Sequence, residues 1–100
     1  MSVYGYCRVA LANEKEMEQQ RERIVHYCRM NHLEVDECFC DNGVSGFTLD
    51  RAGLQQMLNH LKKGDVVVVK DAARLTRNMY EYMMLEKRFS DIGATLKVIE

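Results

Sequence analysis

The stretch Val66-Val67-Val68-Val69-Lys70, which runs into Asp71-Ala72-Ala73-Arg74-Leu75-Thr76-Arg77, decides the fold of this chain. Four consecutive β-branched residues without an alternating polar residue are typical of a strand buried on both faces, and such strands occur in parallel α/β sheets. In open parallel sheets, ligands bind beyond the carboxyl ends of the strands, because loops and helix N-termini converge there. The pattern therefore predicts that Arg74 and Arg77 lie at a ligand-binding edge of the sheet.

In the rest of the chain, the pattern of residue types predicts strands and helices that alternate along the sequence and pack around this strand. Further strands are predicted over residues 3–9, 34–40 and 95–99. Helices are predicted over about 14–31, from an Asp50 N-cap to Lys63 with Gly64 ending the helix, and over about 79–90 after an Asn78 cap. The apolar residues of the last helix are expected to face the core, and they are Met79, Tyr80, Met83, Met84 and Phe89. The order predicts a three-layer α/β fold, with a mainly parallel sheet of about four strands and helices on both faces.

Composition bounds the class of protein. With 100 residues and 47% hydrophobic content, the chain is expected to be one domain, residues 1–100, with its own core. No apolar run approaches the roughly 20 residues that span a bilayer, and no N-terminal signal pattern is present, so the expected location is the cytoplasm without a membrane partner. The formal net charge of −1 gives no whole-molecule attraction to nucleic acid, so any phosphate chemistry must come from a local cluster of arginines.

The four cysteines do not have the spacing of a metal site. Cys7, Cys28, Cys38 and Cys40 fall within predicted strands and a helix rather than in paired loops. They are expected to be reduced and buried, and no metal is expected.

The arginines are the candidate functional residues. If the first and third strands are neighbours, their carboxyl ends bring together Arg8, Arg74 and Arg77, and Arg51 can lean over the same edge. Converging guanidinium groups repel one another unless an anion binds between them, and phosphate matches the planar guanidinium fork. Alternatively, each arginine pairs with a carboxylate, for which the candidates are Asp41, Asp50 and Asp71. The spacing leaves both arrangements open.

Several motifs then occur in a particular order along the whole chain. They are Tyr6-Cys7-Arg8-Val9, the loop Asp41-Asn42-Gly43-Val44-Ser45-Gly46, the pair Asp50-Arg51 followed by Gly53-Leu54, Gly64-Asp65 before the valine strand, and Arg74-Leu75-Thr76-Arg77. Together they resemble the N-terminal catalytic domain of serine recombinases, the resolvase and invertase family, whose signature is Arg-Leu-Gly-Arg. The agreement of several motifs favours the phosphate-binding arrangement.

The resemblance implies site-specific DNA recombination. A serine hydroxyl attacks the backbone phosphate and forms a 5′-phosphoserine intermediate, with a free 3′ hydroxyl and without cofactor. Matching residue by residue, the resemblance assigns phosphate binding to Arg8, Arg51, Arg74 and Arg77, catalytic positions also to Gln19 and Asp41, and a mobile loop to Ser45 and Gly46.

The resemblance also implies a setting and partners. The partner is DNA, the setting is a mobile genetic element, and the process is integration, inversion or resolution. Residues 1–100 are expected to stop before a dimerisation helix and a C-terminal DNA-binding domain. The longer protein is expected to form dimers or tetramers, and the fragment alone to be monomeric.

The chain departs from the family at the position that matters most. Ala10 stands at the nucleophile position, and a methyl group cannot attack phosphorus, so this form is expected to be inactive in the usual reaction. Three explanations are open: an engineered change, a natural pseudo-enzyme, or the use of another hydroxyl, from Ser2, Ser45 or Thr48. The other departures are Glu14, Ala73 and Thr76.

A different class of function also remains open at this point. The chain could be a non-catalytic flavodoxin-like or receiver-like module that binds a phosphorylated ligand or a partner protein. Its candidate acidic residues would be Asp41 and Asp71.

Overall fold

The computed structural model describes residues 1–47 and 49–100. Within them lies a sheet of four parallel strands in the order β2-β1-β3-β4. The strands are β1 (Val3–Val9), β2 (Glu37–Asn42), β3 (Val66–Val69) and β4 (Thr95–Val98), and the helices are α1 (Glu14–Met30), α2 (Ala52–His60), α3 (Ala72–Leu75) and α4 (Met79–Ile92). The predicted parallel α/β fold is confirmed.

The helices cover both faces of the sheet, so the fold has three layers as predicted. On one face, α1 packs Met17, Ile24 and Cys28 against β1 and β3. On the other face, α2 and α4 pack against the alternate residues of the same strands. Val67 and Val69 contact the α2 and α4 side while Val68 contacts the α1 side, and all three are fully buried. The unbroken valine run therefore reports a strand that is covered on both faces.

The strand order fixes the position of the candidate site. β1 pairs with β2 on one side, with Arg8 opposite Asp41, and with β3 on the other side, with Tyr6 opposite Val69. The carboxyl ends of β1 and β3 are therefore neighbours, as the convergence of the arginines requires.

The prediction for the apolar face of α4 is wrong in most of its residues. Met79, Tyr80, Met83 and Met84 are 76%, 71%, 61% and 52% exposed, whereas Leu85 and Phe89 are buried. Residues spaced by four lie on one face of a helix, and in α4 the pair Leu85 and Phe89 occupies the face toward the sheet. The apolar residues of α4 lie on more than one of its faces, so its sequence did not reveal which face is inward. No helix in the described part of the chain, α4 included, is long and apolar enough to cross a membrane.

Several predicted boundaries also shift. β2 begins at Glu37 rather than residue 34, because its pairing with β1 begins opposite Tyr4. The N-cap of α2 is Arg51 rather than Asp50, and the helix ends at His60 because Leu61 is already extended. The short helix α3 lies between β3 and α4, where no helix was predicted. Thr48 is outside the described residues.

Candidate functional site

Arg8, at the carboxyl end of β1, is fully buried and binds backbone carbonyls rather than a carboxylate. Its Nη2 donates to Ala73 O at 2.7 Å and its Nη1 to Val44 O at 2.9 Å. Its Nε donates to Arg74 O at 3.2 Å. Burial, together with the charges of Arg74 and Arg51, lowers the pKa of Arg8. Arg8 therefore joins the loop after β2 to the segment after β3.

Arg51, at the start of α2, is equally buried and reaches the same segment. Its Nη1 donates to Arg74 O at 3.0 Å and to the Tyr6 hydroxyl at 2.9 Å, and its Nη2 donates to Leu75 O. The guanidinium carbon lies 5.8 Å from the centroid of the Tyr6 ring, within the range of a cation–π interaction. Two buried arginines thus hold the carbonyl groups of the short helix α3.

Asp41, at the end of β2, holds the start of α2. Its carboxylate accepts from the backbone N–H groups of Gly53 and Leu54 at 2.8 and 2.9 Å, and from the Tyr6 hydroxyl at 2.6 Å. A carboxylate at a helix N-terminus accepts hydrogen bonds from free N–H groups and interacts favourably with the positive end of the helix dipole. The Tyr6 hydroxyl links Asp41 to Arg51, and burial followed by the hydrogen bond to Asp41 raises the pKa of Tyr6. Asp41 therefore positions Arg51 through Tyr6.

Arg74, in α3, does pair with carboxylates. Its Nε lies 3.1 Å from Asp71 Oδ1, and its Nη1 lies 3.8 Å from Glu16 Oε1. Its Nη1 also donates to Arg8 O at 2.9 Å. The carboxylate-pairing alternative applies to this arginine, whose side chain remains 16% exposed.

Arg77 is the exposed arginine of the cluster. No ion pair found within residues 1–47 and 49–100 involves it. Its backbone N–H donates to Gly46 O at 2.8 Å. A Cβ at Gly46 would lie 2.7 Å from Arg8 Nη2 and 2.9 Å from Arg77 Cγ, so a side chain at this position would displace one of the two arginines. The Thr76 hydroxyl also donates to Gly46 O, at 3.2 Å, and accepts from Asn78 N at 3.1 Å.

A cavity of about 360 Å³ opens beside these residues. It is lined by Arg8, Val9, Ala10, Leu11, Ala12, Asn13, Glu16, Arg74 and Arg77. The Ala10 position is exposed at the end of β1. The lining carries three arginines against one acidic residue, Glu16, so the cavity is suited to an anion.

The residue of α1 that forms hydrogen bonds to Arg8 is Gln20, the neighbour of the predicted Gln19. Gln19 is exposed, whereas Gln20 is buried. Gln20 Nε2 donates to Arg8 O at 2.9 Å and its Oε1 accepts from Arg8 N at 3.1 Å. The signal for Gln20 was its spacing from Met17 and Ile24, which places all three on the inward face of α1.

The loop after β2 is docked at the site. Val44 N donates to Val9 O at 3.0 Å, and Gly46 is tied to Thr76 and Arg77 as described. The exposed Ser45 hydroxyl accepts from Phe47 N at 3.1 Å, the contact of a turn residue. The Ser45 hydroxyl therefore has the local role of stabilising the turn.

Each departure from the family pattern has a physical place in the structure. Glu14 Oε1 accepts from Asn42 Nδ2 at 2.8 Å, which links the start of α1 to the end of β2. Ala73 contributes its carbonyl to Arg8, which does not depend on the side chain. The Thr76 hydroxyl holds the loop through Gly46.

The acidic residues of the receiver-like alternative are engaged separately. Asp41 binds the start of α2, while Asp71 pairs with Arg74. Among the residues that the structure describes, no group of three or more His, Cys, Asp or Glu is arranged to hold a metal ion. The geometry does not favour that alternative.

The fold and this site define a small parallel α/β domain with an arginine-lined cavity at the carboxyl ends of its central strands. A family model described as the resolvase N-terminal domain matches residues 3–100. The chain belongs to the resolvase family of serine recombinases, as its motifs indicated.

Curated relatives are similar in sequence to this chain over its whole length. The transposon Tn1546 resolvase of Enterococcus faecium is 30% identical over 100 residues, which are 100% of this chain and 48% of the relative. A resolvase/recombinase of Pseudomonas putida is 28% identical over 100% of this chain and 52% of its own length. The chain thus spans about half the length of these curated relatives.

Solved structures agree on the fold. The catalytic domain of the ISC1926 TnpA serine recombinase superposes with a TM-score of 0.85 at 25% identity, covering 100% of this chain and 68% of that one. The N-terminal catalytic domain of TP901-1 integrase superposes with a TM-score of 0.90 at 22% identity, covering 99% and 78%.

Proposed function

We propose that this chain is the catalytic-domain part of a site-specific DNA recombinase of the serine type, with the nucleophile position occupied by Ala10. One observation carries the proposal: Ala10 and the arginines Arg8, Arg74 and Arg77 line the same cavity at the end of β1. Family membership supports DNA as the partner. The cavity would receive a backbone phosphate of the duplex.

The arginines have different tasks in this proposal. Arg77 is exposed and Arg74 partly so, and their guanidinium groups would bind the non-bridging oxygens of the phosphate. Arg8 and Arg51 are committed to backbone carbonyls and would act mainly by holding α3, which carries Arg74. Preorganised positive charge of this kind stabilises the negative charge that develops on phosphorus oxygens during transfer.

The first step of the reaction, attack by a serine oxygen on phosphorus, is not possible for this chain. In the family reaction a serine oxygen attacks phosphorus, the bond to the 3′ oxygen breaks, and the protein keeps the 5′ phosphate. Ala10 has no oxygen to form that bond, so we expect DNA binding without strand cleavage. Whether the alanine is natural or introduced, the surrounding arginines are present.

The proposed parent protein is longer. We propose that a dimerisation helix and a DNA-binding domain follow residue 100, since the relatives are about twice as long as this chain. The exposed methionines and tyrosine of α4 would then be covered in the assembled recombinase, and residues 1–100 alone would be monomeric.

The decisive experiment restores the hydroxyl. Ala10→Ser in the longer recombinase, incubated with a nicked suicide substrate of its recombination site, should trap a covalent adduct at the 5′ end. The matched control is Ala10→Ser combined with Arg77→Ala, which keeps the hydroxyl and removes the exposed guanidinium. A folded, DNA-bound Ala10→Ser variant that forms no adduct would contradict the proposal that only the nucleophile is missing.

A further inference from the structure

A second reactive cluster lies on the α1 face of the sheet, in strand positions next to Arg8 and Asp41. Cys7 of β1 is the register partner of Cys40 of β2, and Cys38 lies two residues before Cys40 on the same face. All are free thiols; Cys7 is buried, while Cys38 and Cys40 are partly exposed. The proposed recombination chemistry uses none of these groups.

Cys40 has a cationic neighbour. Nη2 of Arg21, on α1, lies 3.4 Å from Cys40 Sγ, and Nη1 of the same guanidinium binds Glu18 at 2.5 Å. This salt bridge holds the guanidinium over the sulfur. A cation in contact with a partly exposed sulfur stabilises the thiolate, the reactive form of cysteine.

The charged and titratable groups around Cys40 favour its ionisation on balance. A hydrogen bond from the Cys7 thiol and the contact with Arg21 lower the pKa of Cys40 to about 6, against the opposing effects of burial and the Asp41 charge. Hydrogen bonding with the neighbouring sulfurs of Cys38 and Cys40, between which the single thiol proton is shared, together with burial raises the pKa of Cys7. Cys28 on α1 is buried, and burial raises its pKa. The cluster therefore favours a thiolate at Cys40 beside a protonated thiol at Cys7.

Cys38 competes less well for reagents. The hydrogen bond from Cys7 also lowers its pKa. However, its sulfur lies within 2.7 Å of where a Cβ of Gly5 would be, and Ile24 of α1 closes the same space. Cys40, in contrast, has the contact with Arg21.

We propose that Cys40 is an oxidation site that reacts with hydroperoxides, and that Cys7 captures the product as a disulfide between β1 and β2. The Cys40 thiolate attacks the terminal oxygen of the peroxide, a sulfur–oxygen bond forms, the oxygen–oxygen bond breaks, and hydroxide leaves from hydrogen peroxide or alkoxide from an organic hydroperoxide. The Cys7 sulfur then attacks the sulfur of the sulfenic acid, the sulfur–sulfur bond forms, the sulfur–oxygen bond breaks, and the hydroxyl leaves with the Cys7 proton as water. The peroxide is reduced, and two thiols are oxidised.

The register selects Cys7 as the second thiol. Neighbouring strands lie about 4.8 Å apart, which is within the range of Cα separations that disulfides span. Residues two apart on one strand are separated by about 6.6 Å with parallel side chains, at the far limit of that range. A disulfide between Cys38 and Cys40 is therefore disfavoured.

The experiment uses the 100-residue chain and two reagents. Iodoacetamide alkylation across pH, followed by peptide mapping, should modify Cys40 first, with a rate midpoint near its lowered pKa. Arg21→Ala should move that midpoint toward the value of about 8.5 for a free thiol. Hydrogen peroxide should join the peptides that contain Cys7 and Cys40 in the wild-type chain, and dithiothreitol should separate them.

Two serine variants isolate the steps. Cys7→Ser keeps a hydrogen-bond donor and removes the second sulfur, so low-pH alkylation should persist, the disulfide should vanish, and dimedone should trap a sulfenic acid on Cys40. Cys38→Ser should still form the disulfide. Faster modification of Cys38 or Cys28 in the wild-type chain, an unchanged midpoint in Arg21→Ala, or a peroxide product without the linked peptides would each overturn the proposal.

Discussion

Replacing Arg8 with alanine should destabilise the fold, because this arginine is held by carbonyl groups of the domain itself. Its guanidinium bonds Val44 O, Ala73 O and Arg74 O. Arg74 O keeps a second donor from Arg51, so the substitution leaves two carbonyls that lose the donor described here.

The magnitude follows from those two groups. Each buried polar group left unsatisfied costs about 1–3 kcal/mol, which gives roughly 2–6 kcal/mol in total. Relief of repulsion from Arg74 and Arg51, and water entering from the adjoining cavity, offset part of this loss. We expect the free energy of unfolding to fall by about 3 kcal/mol, which lowers the melting temperature of a 100-residue domain by roughly 12–24 °C.

Urea unfolding and thermal melts measure the effect, and Arg77→Ala is the matched control. Arg77 is exposed, and its backbone bond to Gly46 survives the substitution, so its change in free energy should stay within about 0.5 kcal/mol. Equal stabilities of the Arg8→Ala and Arg77→Ala variants would refute the structural role of Arg8. Arg8 would then be held mainly for its ligand.

Three other perturbations test the same region. Tyr6→Phe should reduce the loss of stability above pH of about 10. Because the folded-state pKa of Tyr6 is raised, the unfolded chain loses this proton first, and the free energy of unfolding falls as pH rises. Urea titrations across pH should show this slope for the wild-type chain and not for the variant. Thr76→Val should cost about 1 kcal/mol in thermal melts through the lost bond to Gly46 O, while Thr76→Ser retains it; equal melting of the two variants would argue against that bond. Sulfate should raise the melting temperature of the wild-type chain, and Arg77→Ala should reduce this rise without lowering the basal value; an unchanged rise would place the anion elsewhere.

The local pattern determined much of this protein. The valine run required a strand covered on both faces, and the alternation of strands and helices required a parallel sheet. The arginine at the end of β1 and those that follow β3 therefore had to share an edge. The order of the motifs was sufficient to indicate the family. These features depend on residue spacing along the chain, which the sequence contains directly.

Only the tertiary structure decided what each arginine touches. The sequence offered phosphate or carboxylate as partners, whereas Arg8 and Arg51 bind carbonyls of segments far away in the chain, and Arg74 pairs with the carboxylate of Asp71. Gln20 rather than Gln19 meets Arg8, and α4 turns Leu85 rather than its methionines inward. Backbone carbonyls have no residue letter, and the inward side of a helix with apolar residues all round depends on the surface that it packs against. Both are properties of the assembled fold, which is why spacing alone could not supply them.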